Sequence, residues 1–112
     1  MVSKALVAAS TKPLLLSILL DGETYGYMII KQMKNLSKGK LEWSFGMLYP
    51  VLHRLEKDGF IASRWTASEK GRLRKYYRLT DAGLRELDQE KSQWVAVNSV
   101  FAELWKSSEI LS

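Results

Sequence analysis

The sequence predicts an α+β fold that is mainly α-helical: three helices, a β-hairpin and one long C-terminal helix. Three patterns predict it. Apolar residues recur at three- and four-residue spacing between Ser44 and Gly59, as on one face of a helix. Two aromatic and β-favouring segments, 60–65 and 74–79, flank a polar loop, as in a hairpin. From Leu84 an apolar seam continues for about three heptad-like repeats, as in a helix that packs against another helix.

Length and composition exclude several classes of protein. The 112 residues are enough for one domain with a real core. Because the chain has no cysteine, disulfides, thiolate catalysis and Cys-based zinc sites are excluded. Lys12 and Pro13 interrupt the apolar N-terminal run well before it reaches membrane-spanning length. We therefore expect a cytoplasmic protein without a membrane partner.

The first predicted helix lies within residues 5–20, with its second half the better defined. Pro13 either occupies the first turn of a helix capped by Ser10 or Thr11, or kinks a longer helix. The segment is too apolar to lie free on a surface. We expect it to be buried in the core or against a second subunit.

The second helix is predicted for residues 25–36, after a turn at 21–24. Its residues at helical spacing are Tyr27, Ile30 and Met33 or Lys34. Gly26, early in this helix, costs up to about 1 kcal/mol relative to alanine, so we expect another element to pack closely against it. Residues 41–43 are predicted to form a brief strand.

The third helix has one apolar and one polar face, with Ser44 as its N-cap and Gly59 as its stop signal. The apolar stripe consists of Leu48, Val51, Leu52 and Leu55. Pro50 lies on the other face, where it removes a backbone hydrogen bond to Gly46. We therefore expect residues 44–49 to form a loosened or kinked opening turn, with residues 51–58 as the rigid part.

The predicted hairpin carries the net charge of the chain. The segment from Arg64 to Arg78 contains six basic residues and one acid, Glu69. Its net charge is therefore +5, which equals the formal net charge of the whole chain. Such a patch is typical of a surface that binds a polyanion, because clustered Lys and Arg displace counterions from phosphates. We interpret Trp65 and Tyr77 as core-facing strand residues rather than as stacking platforms for nucleobases.

The fourth helix is predicted to start after a Thr80 cap, with Asp81 near the positive end of the helix dipole, and to run to about Lys106. Nothing later in the sequence remains for its apolar seam to pack against. We therefore predict a homodimer. The residues predicted to dimerise are Leu84, Leu87, Trp94, Phe101, Leu104 and Trp105.

This order of elements is that of a winged helix-turn-helix, in which one helix enters the major groove of DNA and the hairpin, or wing, lies along the phosphate backbone. We predict a DNA-binding domain at 1–79, whose first 20 residues also pack at the dimer interface, and a dimerisation helix at 80–112. The residues predicted to bind double-stranded DNA are Tyr25, Ser44, Gly46, Met47, Tyr49, Pro50, His53, Arg54, Lys57 and, in the wing, Lys70, Arg72, Arg74 and Lys75. Because few of them read bases strongly, we expect modest specificity with a large contribution from DNA shape.

Other functions receive little support from the sequence. His53, the only histidine, has no Cys, Glu or His partner at metal-ligand spacing, so no metal site is predicted. No nucleophile–base pair, paired acid site or Gly-rich phosphate loop is present, so neither enzyme activity nor a cofactor is predicted. The alternative is a winged-helix module that binds an acidic protein and senses no ligand. Only DNA binding predicts a steep fall in duplex affinity with salt.

Several motifs resemble the PadR-like transcriptional regulators. They include Leu48-Tyr49-Pro50, residues 52–59 (LHRLEKDG) and residues 74–83 (RKYYRLTDAG), and the resemblance covers about residues 14–94. It implies a dimeric repressor from bacteria or archaea, with a winged N-terminal domain and a C-terminal helix that dimerises with help from the first helix. The short C-terminus is similar to that of the smaller PadR subfamily, which includes multidrug-sensing regulators.

The resemblance also implies a small-molecule site. In those multidrug-sensing regulators, a tryptophan eleven residues after the last Gly of the motif stacks flat aromatic compounds at the dimer interface, and the matching residue here is Trp94. Asn98 replaces an acid that favours cationic drugs, and Pro13 occupies the first-helix position that faces the pore. Val97 and Leu6 complete the predicted ligand-binding set. The alternative is that Trp94 belongs only to the dimer seam.

Overall fold

The computed structural model describes residues 2–106, which form four α-helices and a three-stranded antiparallel sheet. The elements are α1 (Lys4–Leu20), β1 (Thr24–Tyr25), α2 (Gly26–Leu36), α3 (Phe45–Lys57), β2 (Ile61–Ala67), β3 (Leu73–Leu79) and α4 (Asp81–Lys106). The predicted mainly α-helical winged helix-turn-helix is confirmed. The outer ends of the two predicted domains, Met1 and residues 107–112, lie outside the described residues.

Helix α1 runs without interruption through Pro13, so the longer of the two predicted helices is the observed one. It is capped by Ser3, whose hydroxyl accepts a hydrogen bond from the Leu6 backbone N–H at 3.2 Å. The hydroxyls of Ser10 and Thr11 do not cap a helix. They donate to carbonyls in the preceding turn, Thr11 to Val7 at 2.6 Å. The apolar second half of α1 is buried in the core, as expected.

Strand β1 replaces the predicted start of α2. Thr24 and Tyr25 pair with Tyr77 and Tyr76 of β3, so that β3 is the central strand of the sheet. The predicted strand at 41–43 is wrong. These residues form no regular element, and Trp43 is buried at 3% exposure because it fills the core as part of a loop.

The buried face of α2 differs from the predicted stripe. Gly26, Ile29 and Met33 face the core, whereas Ile30 is partly buried and Tyr27 is 59% exposed. The close packing expected at Gly26 is present but not tight, because a Cβ there would lie 3.4 Å from the Phe45 ring. That distance is an ordinary van der Waals contact.

Helix α3 begins at Phe45 and is a single α-helix to Lys57. Ser44 caps it by accepting the Met47 N–H at 3.2 Å, as predicted. The expected loosened opening turn is absent, because the first turn closes normally, with the Leu48 N–H donated to the Ser44 carbonyl at 2.9 Å. The buried core residues of α3 are Leu48, Leu52 and Leu55, and Val51 is partly buried.

The hairpin is longer than predicted and extends beyond the core. Ile61 pairs with Leu79 at its base, and Ala67 pairs with Leu73 near its tip. Tyr77 is 3% exposed, which confirms its predicted core position. Trp65 is 63% exposed, so the expectation that it faces the core is wrong. The physical reason is that the outer half of the hairpin extends past the helices that bury its base.

Helix α4 starts on the core and ends away from it. Thr80 caps it, since its hydroxyl accepts the Gly83 N–H at 3.0 Å and donates to the Gly59 carbonyl. Leu87 is buried, but every residue from Val95 to Lys106 is exposed. The radius of gyration is 16.2 Å, against about 13 Å for a compact domain of this length. No helix in residues 2–106 has the length and apolar character needed to span a membrane.

Candidate nucleic-acid interface

A cleft of about 680 Å³ separates the outer face of α3 from the wing. Predicted DNA-binding residues from β1, α3 and the wing line it: Tyr25, Tyr49, His53, Arg72, Arg74 and Lys75. Side chains that the sequence did not assign to DNA binding also line it: Tyr27, Phe45, Trp65 and Leu73. The cleft is therefore both aromatic and basic.

The other predicted DNA-binding residues lie around this cleft. Gly46, Pro50, Arg54 and Lys57 are exposed on α3, Ser44 caps that helix, and Lys70 is exposed at the tip of the wing. Met47 was expected to point outwards from α3, but it does not. It is partly buried and packs against the core, because its position in the first turn of α3 faces the N-terminal part of α1.

Aromatic contacts order the floor of the cleft. The rings of Phe45 and Tyr49 stack with centroids 5.5 Å apart on successive turns of α3. Tyr25 meets Tyr76 edge to face at 5.3 Å, and the Arg74 guanidinium lies 4.5 Å from the centre of the Tyr25 ring. A cation held over an aromatic face keeps its charge at the surface. Arg74 is thus oriented before any ligand arrives.

Phe45 and Tyr27 had signals in the sequence that pointed elsewhere. Phe45 directly follows the cap of α3, where an apolar residue is readily interpreted as a core contact, and Tyr27 has helical spacing with Ile30. Both are exposed, at 42% and 59%. Their common feature is a position at the start of a helix on the side of the wing.

Two of the six basic residues in the 64–78 segment are neutralised by acids from elsewhere in the chain. Arg64 donates to both carboxylate oxygens of Glu23, at 2.8 and 2.6 Å, and this contact lowers the pKa of Glu23. Lys75 lies 3.4 Å from a carboxylate oxygen of Glu56. Within residues 2–106, no ion pair holds the remaining four, which are Lys70, Arg72, Arg74 and Arg78.

Glu56 connects α3 to both long strands of the sheet. One of its carboxylate oxygens accepts a hydrogen bond from the Ser63 hydroxyl on β2, and the other faces Lys75 on β3. The Ser63 hydrogen bond is the main cause of a lowered pKa for Glu56, and the charge of Lys75 adds to it against the opposing effect of burial. The carboxylate is therefore held in its charged form.

A second, smaller groove of about 390 Å³ lies between α1 and α4. It brings together three of the five residues predicted to bind a ligand, Pro13, Trp94 and Asn98, with Leu14 and Leu87 beside them. The other two lie outside this groove. Leu6 is nearer the N-terminus of α1 and 51% exposed, and Val97 lies on another side of α4, where it lines a shallow depression with Trp94 and Gln93.

Lys12 holds α1 against α4 next to this groove. Its ammonium group binds the carboxylate of Glu86, lies 3.5 Å from Glu90 and sits 5.1 Å from the centre of the Phe60 ring. Burial lowers the pKa of Lys12, but the hydrogen bond and charge of Glu86, with Glu90, outweigh it and leave the pKa raised. The relative position of the two helices is thus fixed by charge as well as by packing.

Comparison with known proteins identifies the family. The model of the Transcriptional regulator PadR-like family matches residues 15–89, which is more than half of the chain. The chain belongs to this family. PadR-like proteins are transcriptional regulators that bind DNA, so the protein is a DNA-binding transcriptional regulator and not an enzyme.

Relatives and solved structures agree with this assignment. The chain is 38% identical to a transcriptional regulator of Mycobacterium tuberculosis over 71 residues, which are 63% of each chain. The crystal structure of a PadR-like regulator from Bacillus cereus superposes with a TM-score of 0.81 at 28% identity, covering 94% of this chain and 100% of the other. A PadR family regulator from Eggerthella lenta gives a TM-score of 0.76 at 33% identity, covering 93% and 88%.

Proposed function

We propose that this PadR-like regulator is a homodimeric repressor that acts in the cytoplasm, binds operator DNA with α3 and the wing, and leaves it when a planar aromatic ligand binds between α1 and α4. The main support for the proposed DNA-binding surface is the cleft, in which cations of the wing without an ion pair in residues 2–106 face the exposed side of α3. An α-helix fits the major groove of B-DNA, and a neighbouring hairpin then meets the phosphate backbone.

The exposed residues divide into two roles on this surface. Gly46, Tyr49, Pro50 and His53 are suited to the floor of the major groove, because they form the leading, outward part of α3. Contacts with phosphates are assigned to the longer cations, Arg54, Lys57, Lys70, Arg72 and Arg74. Phosphate contacts set affinity and salt dependence, whereas contacts with base edges set sequence preference.

Dimerisation is assigned to α4, in keeping with the proposed division of the chain at residues 79 and 80. The distal half of this helix exposes large apolar side chains: Val95, Val97, Val100, Phe101, Leu104 and Trp105. An apolar helix face of this size is typical of a protein–protein contact. PadR-like regulators commonly dimerise, which supports the same assignment.

The ligand site is assigned to the groove between α1 and α4. Trp94 is half-buried there and offers a flat aromatic face, and Asn98 supplies a neutral polar group instead of an acid. The site therefore favours planar aromatic compounds without requiring a positive charge. A ligand bound here releases DNA only if it binds one spacing of the two wings better than the other.

The DNA-binding proposal is tested by reversing charges on the wing. We expect Arg72→Glu combined with Arg74→Glu to abolish retention of a duplex from the protein's own promoter region in gel shifts. The wild-type protein should lose affinity steeply between low and physiological salt, by about 0.9 logarithmic units per tenfold of salt for each phosphate contact. Arg85→Glu combined with Lys4→Glu, at exposed positions of α4 and α1, makes the same change in net charge and is the matched control. Unchanged binding by the wing variant, or a flat salt dependence, would favour a module that binds an acidic protein.

The ligand proposal is tested by tryptophan fluorescence. The chain also contains Trp43, Trp65 and Trp105, so the wild-type protein must be compared with Trp94→Phe. Titration with a planar aromatic dye should quench the wild-type emission with a saturable component that Trp94→Phe lacks. Identical curves for the two proteins would leave Trp94 with a role in the dimer seam alone.

A further inference from the structure

We infer that Glu56 is a positioning residue that fixes the wing against α3, and that Lys75 serves this contact rather than a DNA phosphate. We call Glu56, Ser63 and Lys75 the brace. The inference rests on the proposed DNA-binding surface and goes beyond it, because it assigns opposite roles to basic residues that are neighbours in the wing.

The geometry of the brace connects three elements through one carboxylate. Glu56 lies in the last turn of α3, and its two oxygens face different strands: Ser63 on β2 and Lys75 on β3. Strand pairing sets Ser63 opposite Tyr77 and Lys75 opposite Trp65. The side chain of Glu56 thus touches both strands of the wing next to the point where they leave the core.

Two aromatic rings also lie near the ammonium group of Lys75. Its nitrogen lies 5.5 Å from the centre of the Tyr77 ring and 6.0 Å from that of Trp65. The side chain is 32% exposed, as is that of Glu56. Lys70 and Arg72, in contrast, are exposed and have no ion pair within the described part of the chain. Lys75 would have to leave an acid and two rings in order to reach a phosphate.

The charge of Glu56 supports the same conclusion. An unpaired carboxylate beside the major-groove helix would repel the phosphates of DNA. Paired with Lys75, it forms a neutral unit, so that the brace adds little to non-specific attraction. Its effect on DNA binding is therefore geometric. It keeps α3 and the wing at one relative angle, so that both can contact the same duplex.

The first experiment measures how the affinity for a random-sequence duplex depends on salt. Glu56→Gln/Lys75→Met, which removes both charges of the brace, should leave the slope of log K against log salt at the wild-type value, since no phosphate contact is removed and no carboxylate is left unpaired. The control is the double variant Lys70→Met/Arg72→Met, whose slope should fall by about 0.9 for each lost contact. If the slope of Glu56→Gln/Lys75→Met fell by about 0.9, as for one lost contact in the control, Lys75 would bind a phosphate and the brace would be overturned. A control without effect would instead refute the proposed DNA-binding wing.

The second experiment measures sequence preference, which a purely structural role would not change. The probes are a duplex that the wild-type protein selects from a random pool and an unrelated duplex of equal length. Glu56→Gln should reduce the preference between them by about tenfold, without weakening binding to the unrelated duplex. Ser63→Ala, which keeps all charges, should reduce the preference in the same direction. Circular dichroism checks that each variant is folded before it is compared. An unchanged preference in Glu56→Gln would contradict the inference.

Discussion

At the scale of single residues, Gly83 in the first turn of α4 has the most demanding surroundings. A Cβ atom at this position would lie 1.9 Å from the Phe60 carbonyl oxygen and 3.0 Å from the Leu79 side chain. Alanine normally favours a helix by up to about 1 kcal/mol over glycine, but a clash with backbone cannot be relieved by rotating a side chain. We therefore expect Gly83→Ala to lower the free energy of unfolding by roughly 2 kcal/mol or more, measured by urea titration.

Gly46 provides the matched control for this prediction. It is also helical, but a Cβ there would meet only the Ser44 hydroxyl, at 3.9 Å. Gly46→Ala should therefore raise the free energy of unfolding by up to about 1 kcal/mol. If Gly83→Ala proved as stable as the wild-type protein, α4 would have to be able to shift away from Phe60.

Residues with local roles could be predicted from the sequence, and residues whose role depends on distant packing could not. The caps Ser44 and Thr80 were predictable because a cap bonds within three residues of itself. Trp65 and Phe45 were not, because the side that an aromatic residue faces depends on where the hairpin extends past the helices. The same limit applies to the pairing of Lys75 with Glu56, which connects α3 to β3.

At the scale of the elements, α3 contains a proline, which removes one backbone hydrogen bond from the helix. Pro50 is exposed in the middle of a regular helix and cannot donate a hydrogen bond to the Gly46 carbonyl. We expect Pro50→Ala to raise the free energy of unfolding by roughly 2 kcal/mol, since a proline inside a helix costs about 3 and its restriction of the unfolded chain returns up to about 1.

The control for Pro50→Ala is Arg54→Ala, an exposed change on the same helix. It should alter the free energy of unfolding by less than about 0.5 kcal/mol in the same urea titration. If Pro50→Ala and the wild-type protein were equally stable, the hydrogen bond that Pro50 cannot donate would not reduce the stability of the protein.

The contact between α3 and the wing should depend on pH through Glu56. Its pKa is lowered in the folded state from an ordinary value of 4.5, above all by the Ser63 hydrogen bond. The stability from this contact is therefore fully present above pH 4.5 and is lost as the pH falls through the lower folded pKa. Wild type should exceed Glu56→Gln in unfolding free energy by about 0.5–1 kcal/mol at neutral pH. The difference should disappear in acid, and a difference that persists there would contradict this origin.

Four helices and one hairpin could be predicted because each carries its own periodicity. Strand β1 has only two residues and exists by pairing with β3, which lies about fifty residues later in the chain. No local pattern can indicate such a strand. At residues 41–43 the local pattern predicted a strand that does not form. An aromatic residue between polar ones favours a strand, but Trp43 lies in a loop and packs into the core.

At the scale of the whole molecule, the proposed DNA-binding surface and the proposed dimer surface occupy different parts of an elongated chain, with extents of 57 × 29 × 22 Å. The groove between α1 and α4 lies where these parts meet. Family resemblance predicted that Pro13, Trp94 and Asn98 belong together, and they line one groove. It could not place Leu6 and Val97, because the rotation of each helix about its axis decides which neighbours share a groove.

The proposed dimerisation through α4 can be tested by placing a charge on its exposed apolar face. Phe101 and Trp105 stack at 4.8 Å and remain 42% and 43% exposed. Phe101→Asp would bury a charge in the proposed interface, so we expect a monomer in sedimentation experiments and a loss of about a hundredfold in operator affinity as bivalent binding is lost. The folded core should survive, because α4 leaves it before Val95. Ser99→Asp adds the same charge on another side of the helix and should remain dimeric. If Phe101→Asp still dimerised, the exposed end of α4 would not be the dimer surface.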